Sequence, residues 1–256
     1  MTNVITIKAL GDNFIYLHPC GDRSVLVVDP GEAPAVLQTL QQHHLLLTAI
    51  LLTHHHWDHV AGAADLHART HCDILGPDRT LIPASGRTVV DGESLALGGL
   101  SVSVLATPGH TRTSVSYYVA PAGGSPGAVY TGDTLFVGGC GRLLEGDAAT
   151  MWRSLQKLAA LPADTLVYCG HDYTLENYEF AVTIDPDNQR LRERLAEVQK
   201  AVEYGRLTVP STIAREKATN FFLQADHPAV QAALGMAHAA PEDVFAELRR
   251  RKDLFG

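Results

Sequence analysis

The sequence predicts an α/β fold, an αββα sandwich of two mixed β-sheets, followed by a small all-helical C-terminal domain. Three observations carry that expectation. Short apolar or alternating runs, each closed by Gly, Asp or Pro, recur along residues 4–169. These runs fall into two blocks, before about Ala106 and after about Ser114, with helical stretches interleaved. Past Tyr173 the strand signals stop and helical periodicity takes over. The expected division is a mixed α/β domain over residues 1–173 and a helical domain over residues 174–256.

Taken in order, residues 4–9, 13–18 and 24–29 read as strands, separated by Gly11-Asp12 and Gly21-Asp22 and closed by Asp29-Pro30-Gly31. Val36, Leu37 and Leu40 set a helix over residues 33–44. The run Ala49-Ile50-Leu51-Leu52 is a buried strand, residues 60–70 a helix, and residues 73–76 a further strand. Residues 87–91, 94–97 and 100–106 read as an antiparallel meander turning at Asp91-Gly92 and Gly98-Gly99. Strands over 114–120 and 128–131, a helix over 148–161 and a strand over 165–169 complete the first part. Beyond it, Asp187 is positioned to cap a helix with Leu191, Leu195, Val198 and Val202 on one stripe, stopped by Gly205. Further helices are expected near Ser211, near His227 and from Pro241, a residue suited to a first helical position.

Composition narrows the function. A formal net charge of −8 argues against general nucleic-acid binding, which needs an electropositive face. The cysteines at 20, 72, 140 and 169 are far apart and form no C-x-x-C pair, so reduced, buried thiols are expected. No basic flank precedes an apolar core near Met1, and no apolar run approaches the ~18 residues of a membrane span. The expectation is a cytoplasmic monomer.

The chemistry concentrates where strands end. Thr53-His54-His55-His56-Trp57-Asp58-His59 follows the buried run 49–52 and gathers four histidines and a carboxylate within seven residues. His110 follows Pro108-Gly109, Asp133 follows Gly132, and His171 follows Gly170, each at another strand end. Imidazole and carboxylate are ligands for divalent ions. Seven donors suffice for two: His54, His56 and His110 on one, Asp58, His59 and His171 on the other, with Asp133 bridging through its two oxygens. Zinc comes first among the metals that suit such donors, with iron and manganese as alternatives.

These residues resemble the T-H-x-H-x-D-H signature of the metallo-β-lactamase-fold hydrolases. Within that superfamily the chain is similar to the glyoxalase II (hydroxyacylglutathione hydrolase) family across nearly its whole length. The more specific stretches are Gly138-Gly139-Cys140-Gly141-Arg142, His171-Asp172-Tyr173-Thr174-Leu175-Glu176-Asn177 and the basic C-terminal helix through Arg249 and Lys252. The resemblance implies hydrolysis of S-D-lactoylglutathione, and related 2-hydroxyacyl thioesters, to glutathione and D-lactate by a metal-bridging hydroxide. It also implies that Arg142, Tyr173, Arg249 and Lys252 bind the glutathione moiety, so that the helical domain is the substrate-binding one. Leu144 stands where many relatives carry a tyrosine that contacts glutathione. The competing expectation is a glutathione persulfide dioxygenase of the same fold, which would use one iron.

Overall fold

The computed structural model of the chain describes residues 4–255; Met1, Thr2, Asn3 and Gly256, including the start of the stretch read above for a leader, lie outside the described residues. Two compact units emerge. Met1–Ala106 with Thr113–Gly132 form the first, and Thr107–Arg112 with Asp133–Gly256 the second.

The first unit is built on two sheets. One runs in chain order through β1 (Ile5–Ala9), β2 (Asn13–Pro19), β3 (Ser24–Val28), β4 (Leu46–Leu51), β5 (Asp73–Gly76) and β6 (Arg87–Thr88). Its first two pairings are antiparallel and its last three parallel, so it is a mixed sheet. Parallel neighbours need crossovers, and α1 (Ala33–His43), α2 (Trp57–Val60) and α3 (Ala63–Thr70) supply the first two of them. Side chains alternate across a strand. Ile15, Leu17, Val25, Val27, Ile50 and Ile74 therefore share one face and pack with Val36 and Leu40 of α1 and Leu66 of α3.

The opposite face meets the second sheet, in which β7 (Ser94–Leu97), β8 (Leu100–Ala106), β9 (Val115–Val119) and β10 (Ala128–Gly132) pair antiparallel. Tyr16 lies against Tyr130 with ring centroids 5.4 Å apart. The Tyr117 hydroxyl donates to the Leu52 carbonyl at 2.9 Å. Such buried phenols supply large apolar area while keeping their polar tips satisfied.

Two expectations need correction here. Residues 87–91 do not join the meander: β6 is short and pairs parallel to β5 in the first sheet. The two sheets accordingly divide between Thr88 and Ser94, not between Ala106 and Ser114. Periodicity identifies strands but carries no information about which sheet receives them.

The second unit holds the hairpin β11 (Leu135–Phe136) and β12 (Gly139–Cys140), helix α4 (Ala148–Ala159), strand β13 (Leu166–Cys169), and helices α5 (Thr174–Ile184) and α6 (Gln189–Glu203). After β14 (Ser211–Thr212), which pairs antiparallel with β13, come α7 (Ile213–Thr219), a 3₁₀ turn at Phe221–Leu223, α8 (Pro228–Ala233) and α9 (Pro241–Phe255). An aromatic cluster joins the helices: Trp152 with Phe245, and Phe222 with Phe245 and Phe180. Asn188, not Asp187, caps α6, its side chain accepting from the Leu191 N–H. Helix α5 escapes periodicity because Thr174, Asn177, Tyr178, Phe180 and Ala181 are all buried, leaving no clean apolar stripe. Among the described residues no helix is long and apolar enough to cross a membrane.

Candidate metal centre

In the first unit the donors stand on the loop after β4 and on α2, which carries Asp58 and His59. Asp29 orients two of them, His59 directly and His54 through Thr53. Asp29 closes β3 with φ +50, and its carboxylate accepts the Thr53 N–H at 2.8 Å and the Thr53 hydroxyl at 2.7 Å. The same carboxylate lies 3.0 Å from His59 Nδ1, and the Thr53 hydroxyl lies 3.0 Å from His54 Nδ1. With Nδ1 committed, Nε2 is the nitrogen that can serve as a metal ligand, the usual outer-shell arrangement for ligating histidines. Asn13 donates to Asp58 Oδ2 at 2.9 Å and fixes that carboxylate as well. Gly132 is required for a steric reason: its φ is +48 and a Cβ there would run into the Thr53 side chain.

The second unit carries three further donors. His110 Nδ1 sits 2.9 Å from the Arg142 carbonyl, again directing Nε2 toward a ligand role. Asp133 Oδ2 lies 3.4 Å from His110 Nε2 and 3.3 Å from His171 Nε2, midway between the two imidazoles. The His171 ring stacks on Tyr173, with centroids 5.0 Å apart and planes 4° from parallel. Gly141 passes so close beneath this group that a Cβ would collide with the Asp133 carbonyl. Gly138 and Gly139 answer to other neighbours, since a Cβ there would meet the Tyr178 ring and the Asn177 side chain.

The donor set fits a divalent ion. Four donors at about 2.0–2.1 Å in a tetrahedron stand about 3.3–3.4 Å apart. Within the first unit His54 Nε2 and His56 Nδ1 are 3.1 Å apart, and His59 Nε2 and Asp58 Oδ2 3.4 Å. The Asp133 contacts above have the same spacing. Imidazoles and carboxylates thus stand at coordination spacing within each unit, four donors in the first and three in the second, and such His/Asp groups suit divalent metals.

A cavity of about 480 Å³ opens within the second unit, bounded at one side by His110 and Asp133. Arg142, Tyr173, Arg249 and Lys252, the four residues expected to bind substrate, all line it, as does Leu144. Arg249 is nearly buried; its Nη1 donates to the Cys140 carbonyl at 2.8 Å, and its guanidinium lies 5.3 Å from the Phe222 ring centre. Lys252 is buried too and pairs with Glu176. Arg142 is largely exposed at the rim. Burial pushes the Cys140 thiol up to about 11 despite the neighbouring Arg249, so it is neutral at pH 7 and no nucleophile.

Several supporting residues escaped the sequence. Asp29 reads there as a turn former, although a carboxylate closing an apolar strand is a signal that could have found it. Glu216, which no sequence pattern marks, is fully buried. It accepts from the Ser211 hydroxyl, the Gly138 N–H at 2.8 Å and Asn220 Nδ2 at 3.1 Å. Asn220 also donates to the Gly139 carbonyl, and Asn177 to that of Val137. Together they hold the β11–β12 hairpin that leads into the cavity wall.

The metallo-beta-lactamase superfamily model matches residues 11–171, and the αββα fold with two mixed sheets and a helical C-terminal part is that superfamily's. The chain is similar to the structure of ETHE1 from Myxococcus xanthus (26% identity, 97% of this chain and 90% of that one, TM-score 0.67). It is also similar to TTHA1623 in a di-iron-bound form (26% identity, 87% and 100% covered, TM-score 0.61). Fold and donor set thus define the class, a hydrolase of the metallo-β-lactamase superfamily. The model of the hydroxyacylglutathione hydrolase C-terminus matches residues 172–255. The hydroxyacylglutathione hydrolase of Methylococcus capsulatus is 45% identical, covering 100% of this chain and 99% of its own. That of Brucella anthropi is 47% identical, with 95% and 94% covered. The chain belongs to the hydroxyacylglutathione hydrolase family.

Proposed function

We propose that the chain hydrolyses S-D-lactoylglutathione, and related S-(2-hydroxyacyl)glutathiones, to glutathione and the 2-hydroxy acid, as a cytoplasmic monomer acting in methylglyoxal detoxification. The observation that carries this is the cavity itself, with His110 and Asp133 at one side and Arg249 and Lys252 among its lining. The two donor sets serve one binuclear centre, with His54, His56 and His110 for one ion, Asp58, His59 and His171 for the other, and Asp133 between them. Zinc is the proposed metal. When bound, the ions supply an acidified water at neutral pH and a Lewis acid for the thioester carbonyl.

The chain's own residues do the rest. Glutathione carries two carboxylates, and the Arg249 guanidinium and Lys252 ammonium are charge-assisted donors for such groups. Tyr173, held parallel to His171, places its ring along the cavity wall beside the ligands. Arg142 offers a further cation at the rim. Asp58 is held by Asn13 as a ligand, not a mobile base. The departing thiolate belongs to a thiol of pKa ~8.5, so it leaves without a dedicated acid. In this division residues 1–173 carry the chemistry, with Arg142 and Tyr173 adding to the recognition that residues 174–256 supply through Arg249 and Lys252.

The test is thiol release from S-D-lactoylglutathione by the metal-loaded protein, beside oxygen uptake with glutathione persulfide. Thioester cleavage without oxygen uptake is expected. Oxygen uptake with the thioester left intact would replace hydrolysis by the dioxygenase activity.

A further inference from the structure

The cations of the cavity already have intramolecular partners. Arg249 donates from Nε and Nη2 to Asp253 Oδ1, at 3.1 and 2.9 Å, and Arg142 Nε stands 3.9 Å from the same oxygen. Lys252 Nζ donates to Glu176 Oε1. Of these two carboxylates, Glu176 is the one among the cavity's lining residues. The contrast in exposure across that pair matters: the Lys252 side chain is 6% exposed and that of Glu176 44%. The carboxylate therefore lies between a buried ammonium and the open side of the cavity. Nothing on α5 itself demands this placement, since the residues three and four positions away are Asp172, Tyr173, Glu179 and Phe180, none of them cationic.

We propose that Glu176 is a specificity-setting residue that acts through Lys252: it neutralises the ammonium in the substrate-free protein and competes with the substrate carboxylate for it. This rests on the cavity taking the glutathione moiety, as proposed above. A ligand lacking a carboxylate cannot displace Glu176, whereas an anionic thioester can, at a cost in affinity. The same competition limits how tightly the product glutathione is held.

Glu176→Gln tests this, because the amide keeps an acceptor oxygen for Lys252 while removing the competing charge. In the metal-loaded protein the Kd for glutathione and the KM for S-D-lactoylglutathione should fall together by about fivefold, the scale of a partly exposed ion pair. The change in kcat should be smaller, and the gain should shrink as salt is raised. In a Lys252→Ala background the same substitution should give no gain. Glu176→Asp, which withdraws the carboxylate by one methylene, should fall between the two and serves if the Gln variant is poorly folded. A raised or unchanged KM, or a gain that survives loss of Lys252, would overturn the assignment. A parent protein that binds no glutathione would instead overturn the cavity's role, a failure visible before any substitution is made.

Discussion

Asp29 anchors two of the first unit's donors: its carboxylate meets His59 once and twice meets Thr53, whose hydroxyl lies beside His54 Nδ1. Asp29→Asn keeps the shape but replaces one oxygen by an amide NH2, so either the His59 Nδ1–H and the Thr53 hydroxyl, which share Oδ2, both lose their acceptor, or the Thr53 N–H loses Oδ1. Metal affinity should fall about 10- to 100-fold, the usual cost of removing an outer-shell partner, as measured by competition with a chelator. Affinity equal to the parent's would show that Asp29 does no more than close β3. On the substrate side, Lys252→Ala and Arg249→Ala should raise KM by about tenfold or more while lowering kcat less, since they act remote from the bond broken. Lys252 gives the cleaner comparison, because truncating Arg249 also strips the Cys140 carbonyl of its donor. If KM stayed at the parent value, neither residue would belong to substrate recognition.

At the scale of elements, α7 and the β11–β12 hairpin form one construction centred on Glu216. Burial raises its carboxyl, while the donors Ser211, Gly138 and Asn220 oppose the shift. A raised carboxyl holds its proton more firmly in the folded chain than in the unfolded one. Its contribution to stability is therefore fully present below the ordinary glutamate value of 4.5 and declines as pH rises through the raised value. Glu216→Gln should flatten that part of the stability–pH curve. Glu216→Ala should cost about 3 kcal/mol or more in chemical denaturation, because buried donors lose their acceptor. Parent-like stability of the Ala variant would contradict the construction. The sequence revealed little of this. Helix periodicity marks an isolated glutamate as solvated, and the two-residue strands β11, β12 and β14 are too short to show alternation. By contrast α1, α4 and α9, each with an apolar stripe or a Pro at its start, are legible in the sequence, and so are the strands that lead into His54, His110, Asp133 and His171.

At the scale of the whole molecule, the seven candidate donors fall four on the first compact unit and three on the second. The seven candidates stood out in the sequence because His54, His110, Asp133 and His171 sit just past strand ends and Asp58 and His59 fall on the short helix that follows the first of these, whereas the partners Asp29, Asn13 and Asn220 had to be seen folded. The proposed function puts both donor sets at a single two-ion hydrolytic centre. Its most direct measurement is zinc titration of the stripped protein, with bound metal counted and S-D-lactoylglutathione cleavage assayed at each step. Activity should rise to a plateau at two ions per chain, and Asp133→Asn should abolish the plateau while leaving some metal bound. Full activity with one ion, or none with two, would contradict it.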